Sequence, residues 1–305
     1  MKSSTRSRTP SIADFAWSAW AELGVPGWER RHSDWCIDPE ALMLLTDSFD
    51  ADARLVEEAQ RWCLDHRALL SRSRWLRLRA SWPVTIGVPR LTALDSGPAK
   101  PVKARGRFAK LSSPRASRTA ATPTRSAWLG LRLRSAFGPT ARAELVRILM
   151  LEQLPESATA VDYAEDAACT KRNAADALDM LRDAGVVESV EHRNRLQFQL
   201  RHRKELEATF GPLPRVRTSF AAAARVLVTI ARMEAELADL PATVRSIEAR
   251  EHVQRIARDL RRIGMPAPSI APGADAWLPL HAWGREIVES VTSGRCGVTS
   301  RSVER

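Results

Sequence analysis

The sequence predicts a mainly α protein with one two-stranded hairpin near its centre. Three observations carry that expectation. Apolar residues recur at helical spacing in separate stretches, such as Ile12, Phe15, Ala16, Ala19, Trp20 and Leu23, or Ala224, Leu227, Val228, Ile230, Ala231 and Leu237. Cap-forming residues stand before these stretches, and glycine or proline comes after them. Alternation with a period of two is clear only between Val186 and Leu200.

Taken in order, residues 1–10 are a basic, serine-rich tail expected to be disordered. Residues 11–82 form a tryptophan-rich helical region. Its first helix ends at Gly24 and Pro26. Asp38 caps a second helix with Pro39 in the favoured first position. Asp50 or Asp52 caps a third, whose inner face is Leu55, Val56, Ala59, Trp62 and Cys63. Ser71 to Ser81 is a further, basic helix with Trp75, Leu76 and Leu78. Seven of the ten tryptophans fall at or before Trp82, which makes them either the core of this region or a surface for a protein partner. Residues 83–136 read as a basic linker or extension. Part of Val84–Leu94 has strand character, and Trp128–Leu133 is either a strand or the lead-in to the central helices.

Residues 137–202 are the most legible part. Thr140 caps a helix carrying Leu145, Ile148 and Leu149, and Pro155 stops it. Thr159 caps a short helix with Val161, Tyr163, Ala164 and Ala167. Cys169 and Thr170 make a turn, and Thr170 caps a third helix with Ala174, Leu178 and Leu181 on its inner face. Gly185 ends that helix. Val186–Val190 and Arg195–Leu200 are then two strands about the polar turn His192, Arg193 and Asn194. Helix, helix, turn, helix and hairpin in this order resemble the winged helix-turn-helix domains of ArsR- and MarR-like bacterial transcriptional regulators, over about one fifth of the chain. The resemblance implies that the third helix enters the major groove of double-stranded DNA by its first turn. The residues there are Thr170, Lys171, Arg172 and Asn173, and Arg and Asn suit bidentate contacts to guanine and adenine. His192, Arg193, Asn194 and Arg195 lie at the tip of the wing. Asp162, Glu165, Asp166, Asp176, Asp179 and Asp183 make the middle of this region acidic, so it is expected to face away from DNA or to meet another chain.

After Leu200 the chain turns helical again, over residues 203–292, before a flexible tail at 293–305. Arg203–Phe210 is short. Ser219 caps a long helix, Phe220–Leu240, and Pro241 separates it from a second, Thr243–Ile263. Their short connection predicts a helical hairpin. A last helix runs from Pro279 to about Val291. Long helices after such a module either form a homodimer, whose two-fold axis suits a palindromic operator, or pack back onto their own chain.

Composition narrows the function. The formal charge is +11, and the interval between Asp95 and Glu144 holds eleven cations and no acid, so the rest of the chain is neutral overall. Such a basic stretch beside the central module is what an electrostatic arm on DNA looks like. The four cysteines are scattered without a C-x-x-C pair, which suits a reducing cytoplasm. No stretch has the apolar length of a membrane span. The Asp50-x-Asp52 pair lacks the upstream Gly-Ser of nucleotidyltransferases, the six histidines have no metal-binding spacing, and neither a P-loop nor G-x-S-x-G occurs. The chain therefore reads as a non-enzyme without cofactor or metal, a DNA-binding regulator of the repressor kind. An alternative is an antitoxin-like protein that represses its own operon and binds a toxin through the tryptophan-rich region; the layout weakly resembles winged-helix antitoxins of nucleotidyltransferase systems. A nucleoid or phage structural protein that uses the basic stretch is a third class.

Arg105, Arg107 and Lys110 are expected to contact phosphates without sequence preference. Each contact steepens the slope of log affinity against log salt by about 0.9. Replacing all three with Gln should flatten that slope and leave the preferred sequence alone, measured by anisotropy titration over a salt series. An unchanged slope would remove the stretch from the DNA surface.

Overall fold

The first helix illustrates how local chemistry sets the boundaries. Ser11 and Asp14 form a reciprocal capping box, each side chain accepting from the other's backbone N–H at 3.1 Å. This starts α1, Ile12–Glu22. A computed structural model describes residues 11–94, 124–155, 158–192, 195–271 and 274–295. The described residues form thirteen α-helices and one antiparallel hairpin, so the protein is mainly helical. Asp38 caps α2, Pro39–Asp47; Asp52 caps α3, Ala53–Asp65; and Ser71 caps α4, Arg72–Ala80.

In the stretch after α4 one expectation needs correction and one open alternative closes. Val84–Leu94 contains no strand among its described residues. Ile86, Leu91, Ala93 and Leu94 are buried, and the backbone is held by side chains instead: Arg79 donates to the Ile86 carbonyl at 2.8 Å, and Asp47 accepts from Arg90 N–H at 3.2 Å. The leucine-rich stretch after Trp128 is helix α5, Leu129–Phe137, rather than a strand. Every residue from Leu129 to Ser135 is buried, so there is no polar face from which a helical period could be read.

The central unit comprises α6, Ala141–Met150; α7, Ala160–Asp166; α8, Lys171–Asp183; β1, Val187–His192; and β2, Arg195–Leu200. Helix α6 ends five residues before Pro155. Its terminus is set by Glu152, which takes a left-handed φ of 50° and is held by Arg203 and Arg217 at 2.8 and 2.9 Å. At the end of α8 the Gly185 N–H bonds to Arg182 O and the Val186 N–H to Leu181 O, both at 2.9 Å. Gly185 has φ 69°, the conformation that ends a helix most cheaply without a side chain. The hairpin runs from Val187↔Leu200 to His192↔Arg195, so the strand reaches two residues beyond Val190, and His192 belongs to it rather than to the turn.

The C-terminal helices are α9, Arg203–Phe210; α10, Phe220–Leu237; α11, Ala242–Arg255; α12, Ala257–Arg262; and α13, Trp277–Thr292. The helix expected over 243–263 is thus broken at Ile256. Breaking it there turns Leu260 and Ile263 into the core and Arg258 and Arg262 towards α7. These helices pack on their own chain. Phe220 stacks on Phe15 at 5.8 Å and lies edge-on to Trp35, and Ile230 of α10 lies so near Gly284 of α13 that a Cβ there would come within 3.2 Å. One hydrophobic core therefore combines the tryptophan-rich residues with α10–α13, and a second lies inside the central unit. Six of the seven early tryptophans are buried; Trp28 is the exposed one. No described helix is long and apolar enough to cross a membrane.

Where the two cores meet, a group of buried charges joins four helices. Arg134 of α5 grips Glu40 of α2 with both terminal nitrogens, at 2.7 and 2.8 Å, and donates its Nε to Glu144 of α6 at 2.8 Å. Glu144 also holds Arg147 at 3.1 Å and Arg74 of α4 at 3.5 Å, while Arg74 pairs with Asp38. Burial opposes the charge on Glu144, yet Arg134, Arg74 and Arg147 hold its carboxyl well below the usual range. Three guanidinium groups thus meet three carboxylates. This corrects the reading of the basic interval at its far end: Arg134 is a buried structural cation, and Arg132 is buried with its Nε on the Phe210 carbonyl at 2.5 Å. Neither is available to DNA.

Removing one partner of a buried ion pair leaves the other charged in a poor solvent, at a cost of about 3–5 kcal/mol. Arg134→Met should lower the unfolding free energy by that amount in a urea titration. A loss within about 0.5 kcal/mol, typical of a surface substitution, would mean the group bears no such charge.

Candidate nucleic-acid interface

The candidate surface is built from the turn between α7 and α8. Asp162 accepts from the backbone and hydroxyl of Thr159 at 2.8 and 2.7 Å, and these bonds lower its pKa. Helix α7 ends with Ala168 in the left-handed region, at φ 49°, and Cys169 N–H bonds back to Ala164 O at 2.8 Å. A non-glycine residue there costs roughly 1–2 kcal/mol. Ala168 offers the smallest side chain to that strained position and is buried in the core that combines the tryptophan-rich residues with α10–α13. Burial raises the pKa of the adjacent Cys169 thiol, against the opposing charges of Arg77 and Arg74.

Thr170 then accepts from Asn173 N–H at 3.0 Å and starts α8. The inner face of α8 is Ala174, Ala177, Leu178 and Leu181, all buried. That spacing leaves Thr170, Lys171, Arg172 and Asn173 exposed together around the helix start. Backbone N–H groups at a helix start favour an anion, and two cations stand beside them here. Arg172 lies 3.8 Å from Asp176 with both side chains exposed, a pair worth little and easily exchanged for a stronger anion.

The acidic residues divide into two groups. Asp162 and Glu165 pair with Arg258, Asp162 at 3.0 Å, and the buried Asp166 pairs with Arg262 at 2.7 Å. They meet the chain's own α12, not another chain. Burial pushes the Asp166 pKa up, while Arg262 opposes that shift. Asp176, Asp179 and Asp183 are exposed along α8, four, seven and eleven residues after Arg172. Beyond its first turn the one cation of α8, Arg182, is paired with Asp179 at 2.8 Å and lies near Asp183. Nothing local in the sequence singles out Arg258 and Arg262, though Asp162, Glu165 and Asp166 recur at helical spacing and call for cations on a facing helix.

On the hairpin, His192 and Arg195 are register partners at the end of the ladder. Arg193 and Asn194 lie outside the described residues, as do Arg105, Arg107 and Lys110. Among the described residues no group of three or more His, Cys, Asp or Glu could hold a metal ion. No protein-family model, curated protein or solved structure matches the chain.

The Thr170 cap can be tested separately from ligand binding. Loss of such a cap costs about 1 kcal/mol. Thr170→Ala should lower stability by that amount in urea unfolding, while Thr170→Ser should keep most of it. Equal stability of Thr170→Ala and wild type would show that the hydroxyl does not cap α8.

Proposed function

We propose that residues 137–202 are a winged helix-turn-helix and that the protein is a DNA-binding transcriptional regulator acting as a repressor. The observation that supports this best is the first turn of α8, where Lys171, Arg172 and Asn173 are exposed beside a capped helix start. The arrangement of acids adds to it. Those of α7 are neutralised by α12, and those of α8 lie farther along the helix, so an approach by the N-terminal end avoids most of them. That end-on approach is the docking geometry of a recognition helix.

In this reading Lys171 holds a phosphate, while Arg172 and Asn173 reach base edges. His192, Arg193, Asn194 and Arg195 on the wing track the adjacent backbone. The antitoxin alternative drew its residue-level support from the tryptophans as a partner surface, and six of those seven are buried. No observation on the described residues now favours it over the regulator.

A bidentate base contact is worth about 1–3 kcal/mol of discrimination. Duplexes selected by the wild-type protein should therefore lose that much preference over scrambled duplexes in Arg172→Ala and in Asn173→Ala, each at a different base position. Lys171→Ala should weaken both kinds of binding alike. If neither Arg172→Ala nor Asn173→Ala changes the ratio of selected to scrambled affinity at fixed salt, α8 is not the reading element.

A further inference from the structure

Helix α7 precedes the turn that leads into α8, and its own sequence is ill-suited to DNA. It carries Asp162, Glu165 and Asp166 and no cation. The short helix α12 is the reverse, with Arg258, Arg261 and Arg262 against Asp259. The fold lays the two together. Arg258 pairs with both Asp162, at 3.0 Å, and Glu165. One turn further on, Arg262 pairs with the buried Asp166 at 2.7 Å and lies 3.8 Å from Asp259, which accepts from Arg225 of α10 at 2.9 Å. The two arginines differ in exposure. Arg262 and Asp166 are largely enclosed, so their pair is a structural joint. Arg258, Asp162 and Glu165 are each partly exposed, so theirs stands at the surface, on the helix that the Cys169 turn joins to α8.

We propose that Arg258 is a further determinant of DNA affinity, acting by offsetting the charges of Asp162 and Glu165 on α7 and not by touching the duplex. The proposal rests on the DNA-binding reading above. In a helix-turn-helix the helix before the turn crosses the DNA backbone while the next one enters the groove. An exposed charge acts over about 8–10 Å at ordinary salt, close to the width of a helix, so acids on α7 are felt by the phosphates it crosses. Without Arg258 the exposed part of α7 presents two negative charges to them; with it, the sum is one. An exposed ion pair contributes little to stability. The effect of Arg258 on DNA is therefore separable from folding, which is not true of the enclosed Arg262.

The test uses the full chain with a fluorescein-labelled random-sequence duplex over a range of salt concentrations. Arg258→Gln should weaken binding about two- to threefold at low salt, the effect of one unit charge about 8 Å from a phosphate in water. The loss should shrink as salt rises. The urea midpoint should stay where it is. Arg258→Lys should keep most of the affinity, since the role needs a charge and not a planar fork. Glu165→Gln added to Arg258→Gln returns the local charge to its starting sum and should restore binding. A direct phosphate contact would behave otherwise: its loss flattens the salt slope by about 0.9, and removing Glu165 would not make it good. If the double variant keeps the full loss, the arginine touches DNA or holds α7 in place, and the proposal fails. If Arg258→Gln binds like wild type while Lys171→Gln is weakened, the proposal fails and the DNA-binding reading stands. If the wild-type protein binds neither random nor selected duplex, both fall together.

Discussion

The buried meeting of Arg134 with Glu40 and Glu144 is the constraint on which the rest of the architecture depends. A charge in a protein interior is tolerated when it is paired and its hydrogen bonds are met. Arg134 meets that condition by spanning two carboxylates from different helices, and its Nη1 also lies 3.2 Å from the Leu69 carbonyl. Glu40 accepts from Ser71 N–H as well, at 2.6 Å, which ties the start of α4 to the same point. Apolar side chains of similar volume could fill this space in several arrangements. A bidentate guanidinium between two carboxylates is satisfied in very few, so the group selects one placement of α2, α4, α5 and α6. The hydrophobic cores on either side then close around a fixed joint.

A second set of charges orients the candidate surface on that joint. Arg258 and Arg262 hold α7 from outside, and the burial of Ala168 holds the next turn from within. Helix α8 therefore starts from a position set by three parts of the chain. One is the central unit itself, one the large core that encloses Ala168, and one the two arginines of α12. The role of α12 also explains why its helix is broken at Ile256. An unbroken helix through residue 263 would have to satisfy the hydrophobic core and two arginine contacts from one continuous set of faces.

Local chemistry made much of the helical order readable in advance. The caps Asp38, Thr159, Thr170 and Ser219 stand where the sequence placed them, because a short polar side chain before an apolar run has few other uses; Thr140 also precedes its helix, but its hydroxyl donates to the Phe137 carbonyl and makes no cap bond. What escaped were features that depend on distant partners. Leu129, Leu131 and Leu133 mimic the alternation of a strand, and a helix buried on every side has no periodic contrast to correct that impression. Arg134 looked like one cation among eleven, since nothing nearby in sequence shows that Glu40 lies across from it. The candidate site was legible to the same degree. Its first turn was visible from Thr170 onwards, whereas the arginines that neutralise α7 lie more than ninety residues away in sequence.

The central unit cannot be treated as a detachable cassette. Glu144 pairs with Arg74 and Arg134, and Asp166 with Arg262, so three of the cations that face its buried carboxylates come from outside residues 137–202. Grafted onto another scaffold, the same residues would carry into solvent or into a foreign interface the acids that this chain neutralises for them. A chimera built on this surface therefore has to bring α4, α5 and α12 with it, so the smallest portable form reaches from Arg72 to Arg262.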